Sequence, residues 1–309
     1  NTSKSRLPCE GATSEHVDIK LLRKYAQKIT SIKVPKPFKS DSFLDSLGLY
    51  SALSKNEQRL MHKAAVLCFC PYPERYFPQA RSIFIVGELS DQKIGREDVT
   101  GPLSKQIELL VEKSSQNLNK VSSFGKGALR TDQEEIPKDL IRECIANAII
   151  HRDYESSGTT QVRITNEFIE ILNPGQFPSG YSWDTFLSAT PAVSCPRDEA
   201  IALYTTNLLA FEGIGRGFSI FKSYIEQNGR NSMQYKLLPG PTICIRIKRK
   251  IQSDDGSEFI IKDVKSALVL EVEGSWKFHG LKGTLLKIVG LLPSGDSSTL
   301  SDAKADLEK

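Results

Sequence analysis

The stretch RECIANAIIHRDY, Arg142–Tyr154, decides how the rest of the chain is read. Ile141, Cys144, Ile145, Ala148 and Ile149 recur at helical spacing and predict a helix face packed on a sheet. Glu143, Asn147 and His151 form a second stripe at successive i,i+4 steps. Burying an unpaired carboxylate is costly, so this stripe should meet water, a partner or a ligand. The Asn carbonyl oxygen is a neutral hard ligand for Mg²⁺, and a Glu one turn away can orient or deprotonate a water. E-x-x-x-N is also common on solvated helices, so the surrounding residues must decide.

Upstream, Pro137 suits a first helical turn. Downstream, TQVRITNEFIEIL alternates apolar and polar residues around Asn166-Glu167 and predicts a β-hairpin. PTICIRIKRK predicts a further strand with Ile243, Ile245 and Ile247 on one face. Helices are expected around Val17–Ile29, in SFLDSLGLY and QRLMHKAAVLCF, after Gly101, in RDEAIALYTTNLLAF and in FSIFKSYIEQN, with a strand over Ile83–Val86. The expectation is an α/β (α+β) fold, a mixed sheet with helices on one face and small N- and C-terminal appendages. Three parts are expected: an N-terminal segment 1–40, a main domain 41–250 and a C-terminal module 251–309 after the SDDGSE break. That module reads either as an assembly element or as the opening of a winged helix beginning at LKGTLLKIVGLL.

Two more features point to a ligand. The hairpin ends in Asn173, Pro174 and Gly175, where an amide can hydrogen-bond a base edge and a glycine lets a ring approach. Gly213, Gly215 and Gly217 then precede a helix, an arrangement that presents free N–H groups to phosphate. N-P-G is also an ordinary turn, and G-x-G-x-G an ordinary tight loop. The ordered set is harder to obtain by chance. No G-x-x-x-x-G-K-[ST] loop occurs, so a P-loop helicase is excluded, and GIGRGF lacks the G-x-G-x-x-G of a Rossmann site. His151, Asp153 and Glu143 as a hydrolase metal set fits poorly, because adjacent helical residues point in different directions.

RECIANAIIHRDY, IEILNPGQFPSG, CPRDEAIA and FEGIGRGFSIF resemble, in order and spacing, the divergent ATP-binding family of Schlafen/AlbA-type transcriptional regulators, also described as RecG-helicase-related. The ATP domain of that family is a relative of the GHKL fold of gyrase, MutL, heat-shock chaperones and histidine kinases. The resemblance spans roughly Leu44 to Arg249. It implies ATP and Mg²⁺ as cofactors, with Glu143 activating water and Asn147 ligating the metal. It implies Asn173 and Gly175 at the adenine, where the GHKL pattern has D-x-G-x-G; here Phe177 stands at the second glycine. A neutral Asn makes a hydrogen bond weaker than a carboxylate's by on the order of 1 kcal/mol. Gly213, Gly215 and Gly217 would wrap the phosphates, and Arg197 is a further phosphate candidate. Arg152, in the H-R-D-Y signature, either reaches a phosphate or pairs with Asp153.

The functional expectation is a nucleotide-binding switch or slow ATPase in a nucleic-acid-associated regulatory or defence protein. The alternative is a non-hydrolysing transcriptional regulator with a degenerate scaffold used for dimerisation. Lys and Arg exceed Asp and Glu by 41 − 37 = 4, which permits a nucleic-acid partner without arguing for one. DNA or RNA contact would fall to the basic N-terminal region, Lys20, Arg23, Lys24, Lys28, Lys33, Lys36 and Lys39. No apolar run approaches the ~20 residues of a membrane span. The opening NTSKSRLPCEGATSEH has neither Met nor a signal-peptide core and reads as an excerpt of something longer. The scattered cysteines read as reduced and the location as cytoplasmic. A homo-oligomer is expected.

Overall fold

Residues 4–29, 41–51, 59–87, 94–118, 120–124, 130–177, 179–188, 196–209, 217–249, 259–264 and 267–272 are described by a computed structural model. The chain divides into two units, 1–251 and 252–309. In the first, the elements run α1 (Ile19–Ile29), α2 (Asp41–Ser46), α3 (Lys63–Phe69), β1 (Ser82–Val86), β2 (Gly95–Val99) and α4 (Leu103–Gln116). They continue with β3 (Lys120–Phe124), β4 (Arg130–Glu134), α5 (Lys138–Ile150), β5 (Thr160–Ile164), β6 (Phe168–Pro174) and α6 (Trp183–Ser188). α7 (Glu199–Leu209), α8 (Gly217–Asn228), β7 (Met233–Leu238) and β8 (Thr242–Lys248) complete it. The second unit contains the antiparallel pair β9 (Phe259–Val264) and β10 (Ala267–Val272). The SDDGSE break and LKGTLLKIVGLL lie outside the described residues.

Six strands form one mixed sheet in the order β2-β1-β5-β6-β8-β7. β1 and β5 are parallel and the other neighbours antiparallel. A parallel pair needs a long crossover. Here the crossover carries β2, α4, the β3–β4 hairpin and α5. The β5–β6 hairpin turns at Asn166-Glu167, closed by Thr165 N–H to the Phe168 carbonyl at 2.9 Å. Its alternation sends Val162, Ile164, Ile169 and Ile171 into the core, with Ile171 opposite Ile245 and Ile169 opposite Ile247. α5 packs against β5 and β6 as well as α4 and α8, and its Ile141, Cys144, Ile145, Ala148 and Ile149 are all buried. The opposite face carries half-buried Arg163, Glu170 and Arg246, the last two paired at 2.8 Å.

The segment 1–40, which composition set apart, contributes to this same core. Cys9, Ala12, Val17, Leu22 and Tyr25 are buried, and Tyr25 meets Phe69 and Tyr204 edge-on at 5.2 and 5.3 Å. Its charge count hid those apolar positions, because α1 shows solvent a basic face. Lys20, Arg23, Lys24 and Lys28 are exposed there, while Lys33, Lys36 and Lys39 lie outside the described residues. Arg6 Nη1 donates to the Gly48 carbonyl at 3.0 Å and to Tyr204 Oη at 3.1 Å. His62 Nδ1 accepts from the Ala65 N–H, so Nε2–H donates to Gly48 O at 2.8 Å. Burial first, and Arg6 second, lower the His62 pKa to about 4. The cysteines at 9, 68, 70, 144 and 244 are buried and free. Among the described residues no helix is long and apolar enough to cross a membrane.

Both ends of α5 are tied down by polar groups. Before its first turn, Glu135 forms a bidentate pair with Arg249 at 3.0 and 3.1 Å. The Glu135 side chain is fully buried, and Arg249 Nη1 also donates to the Thr165 carbonyl at 2.8 Å. This links the start of α5, the β5–β6 turn and the end of β8. Removing one partner strands the other charge in the core. Arg249→Ala should therefore cost about 3–5 kcal/mol of unfolding free energy in a urea titration. A loss below about 1 kcal/mol, as for a solvated pair, would contradict this role.

Candidate functional site

The second stripe of α5 leaves the sheet and meets the start of α8. Asn147 Nδ2 donates to Glu143 Oε1 at 3.0 Å. The carboxylate lies against Gly217, the first residue of α8, so closely that a Cβ there would fall 2.7 Å from the Glu143 carboxyl carbon. A side chain at 217 would require the Glu143 carboxyl end to move aside. A negative group at a helix N-terminus is favoured by the helix dipole. Burial raises the Glu143 pKa, and the Asn147 hydrogen bond partly opposes the shift. A carboxylate moved in that direction makes a better base near neutrality.

His151 ends α5 and does not join that pair. Its N–H donates to the Asn147 carbonyl at 3.0 Å, and its Nδ1 faces the Arg197 N–H at 3.4 Å. Burial, then the nearby Arg197 charge, lower its pKa to about 4, so the imidazole is neutral at pH 7. Arg197 Nε donates to the His151 carbonyl at 3.0 Å and Nη2 to the Gln176 carbonyl. It thereby buckles the N-P-G turn to the C-terminal end of α5, where a cation is favoured. Gly175 sits beneath this guanidinium with φ of +132°, a conformation open to glycine, and its N–H donates to Pro241 O at 2.8 Å.

Arg152 is turned into the fold. It is 3% exposed and donates to the carbonyls of Arg81 (3.4 Å) and Gly158, with its guanidinium over the Tyr154 ring. Asp153 Oδ1 instead accepts the Glu155 N–H at 3.0 Å. Asp153 N–H reaches Pro174 O at 3.0 Å, and Tyr154 Oη reaches Ile149 O at 2.8 Å. H-R-D-Y is thus a junction between α5, β1 and the end of β6.

Asn173, at the end of β6, is 5% exposed, and its Oδ1 accepts the Thr160 hydroxyl at 3.2 Å. Thr160 is fully buried on the neighbouring strand. Gly213 and Gly215 lie outside the described residues. Sequence reasoning missed Thr160, and it missed a row of rings running Phe177–Tyr235–Trp183–Phe221 at 4.9, 5.9 and 5.9 Å. That row connects the N-P-G-x-F turn to α8, and it accounts for an aromatic at position 177.

The residues therefore form two clusters on one helix. Glu143, Asn147 and Gly217 meet at its middle, while Arg197, Gly175 and the turn after Asn173 gather at its C-terminal end. Glu143 and His151 are eight residues apart, about 12 Å along the axis.

No protein family and no curated protein matches this chain. Among solved structures, the DIP2311 protein from Corynebacterium diphtheriae is similar in fold, with a TM-score of 0.59 and 18% identity. The match covers 80% of this chain and 47% of that one, so the chain spans about half the length of that protein. At this identity the likeness establishes the α/β fold alone.

The Glu143–Gly217 contact makes a quantitative expectation. Gly217→Ala should destabilise the protein by about 1–3 kcal/mol through overpacking. In a Glu143→Ala background the same change should cost far less, because the obstructing carboxylate is gone. Additive losses in this double-mutant cycle would show that the two residues are not in contact.

Proposed function

We propose that the first unit binds a nucleoside triphosphate with magnesium and works as a nucleotide-dependent switch or slow triphosphatase, ATP being the nucleotide the resemblance implies. The observation that carries this reading is the convergence of Glu143, Asn147 and the Gly217 end of α8. A structural scaffold gains little from a half-buried carboxylate on its own helix pair, whereas a triphosphate site needs a base, an oxygen ligand and free N–H groups close together. The resemblance implies the base at Asn173 and the phosphates at Gly217.

The donor set fits a phosphate-borne magnesium rather than a dedicated metal cage. Among the described residues no three His, Cys, Asp or Glu side chains gather as a metal site. Asn147 spends its amide nitrogen on Glu143, which leaves Oδ1 as a neutral oxygen ligand. One or two protein oxygens suffice when phosphates and waters supply the rest. Magnesium, when bound, supplies positive charge against the phosphate oxygens. Glu143 would take the proton of an attacking water, and the α8 N–H groups would hold phosphate oxygens. Closure over the γ-phosphate would reposition attached domains or a dimer partner.

A second reading has its own observation. Arg152 is 3% exposed and donates to backbone carbonyls, so its charge is not offered to a phosphate as placed. That favours a regulator whose nucleotide domain is a scaffold for dimerisation, with DNA or RNA contacted elsewhere, the exposed basic face of α1 being one surface for it.

Calorimetry and turnover assays on the full chain, with ATP, GTP and ITP in turn, separate the two. Asn147→Ala should weaken nucleotide binding only when Mg²⁺ is present. Glu143→Ala should still bind but lose turnover. Absence of nucleotide binding supports the scaffold reading, and equal turnover by Glu143→Ala and wild type removes Glu143 as the base.

A further inference from the structure

α5 covers one face of the six-stranded sheet, and α4 joins it there, where the Ser82 hydroxyl donates to Gln106 Oε1 at 2.7 Å. The strand register sets out the other face. One row runs Arg96, Ile85, Arg163, Glu170 and Arg246 across β2, β1, β5, β6 and β8. The next row on that face carries Asp98, Leu172, Cys244 and Lys236. On the other side of the first row, Phe168 stands opposite Lys248. Burial raises the Cys244 pKa to about 11; Glu170 adds to the rise, and Arg246, Lys236 and Arg163 oppose it. Those four charges therefore share one surface.

The two carboxylates of this face are taken. Arg81, just before β1, reaches Asp98 at 2.8 Å, and Arg246 reaches Glu170 at 2.8 Å. Among the described residues Arg163, Lys236 and Lys248 make no ion pair. With Arg96, the face has six cations against two carboxylates, an excess of 6 − 2 = 4, as large as that of the whole chain. A charge that is slight for the chain is thus concentrated on one flat surface. An apolar cover would desolvate the unpaired cations, and a second copy laid face to face would oppose like charges. A polyanion matches them. A duplex offers a flat surface only its phosphates, whereas a single strand also offers the planes of its bases. The Arg246 guanidinium lies 4.0 Å from the Phe168 ring centre, and a base can stack on such a group. We propose that this sheet face binds single-stranded nucleic acid, with phosphates on Arg163, Lys236 and Lys248 and bases over Leu172 and the Arg246–Phe168 pair. It stands apart from the nucleotide reading, whose Glu143 and Gly217 lie in the helical layer.

Fluorescence anisotropy of the full chain with labelled oligo-dT and oligo-U, without added nucleotide, tests it. Three phosphate contacts should give a slope of log K against log salt of about −2, at about 0.7 per contact. Lys236→Glu with Lys248→Glu should weaken binding at least about tenfold and flatten the slope to about −0.7. Lys20→Glu with Arg23→Glu, on the exposed face of α1, should leave both unchanged. No binding of either oligonucleotide overturns the inference, as does equal affinity for a duplex. Equal affinity for polyglutamate overturns it in favour of an acidic protein segment. Loss of binding through the α1 variant alone moves the contact to α1 and overturns it as well. Bromouracil cross-linking of the wild type decides the matter even if the sheet variant does not fold. Cross-links should fall within residues 161–172 or 234–248, and cross-links confined to other segments contradict the proposal.

Discussion

The placement of α5 between two buried polar anchors is the constraint on which the rest of this structure depends. At its start, Glu135 and Arg249 neutralise each other inside the protein. At its end, Arg152 donates to carbonyls just before β1 and in the loop before β5, while Arg197 ties the carbonyl of His151, just past the helix, to the N-P-G turn. The apolar face alone would hold the helix on the sheet but allow it to slide or rotate. Directional bonds at both ends remove that freedom. The stripe bearing Glu143 and Asn147 is consequently held in one position relative to α8.

This arrangement separates two tasks along a single helix. The middle of α5 carries a carboxylate and an amide next to a helix N-terminus, a setting suited to phosphate and metal chemistry. The end of α5 carries backbone-directed cations that shape a turn. The arginines looked like ligand groups because their charge invites that reading, yet as placed their guanidinium groups donate to backbone carbonyls. The Phe177 ring row extends the same logic to α8, linking the turn after Asn173 to the helix whose first residue touches Glu143.

The hairpin and α5 were legible in the sequence because their periodicities are strong and local. Val162, Ile164, Ile169 and Ile171 alternate without a break, and the strand bounds differ from expectation by a residue or two. The Glu143–Asn147 pair was legible for the same reason, since i,i+4 contacts need no tertiary knowledge. β2 was not, because GREDV is an edge strand with four exposed residues and no apolar alternation. β7 and the β3–β4 hairpin were hidden similarly among polar residues. The roles of Arg152, Arg197 and Thr160 were illegible for a different reason. Their partners are carbonyls or side chains brought in by sheet topology, and side-chain type carries no signal for that.

The central claim is that Asn147 and Gly217 border one metal–phosphate site. The most direct measurement replaces Mg²⁺ with paramagnetic Mn²⁺ and adds a nucleoside triphosphate to isotopically labelled protein. Relaxation should broaden the amide signals of Asn147 and Gly217 selectively and spare Arg163, on the opposite face of the sheet. Broadening confined to other regions, or none at saturating nucleotide, would contradict the account.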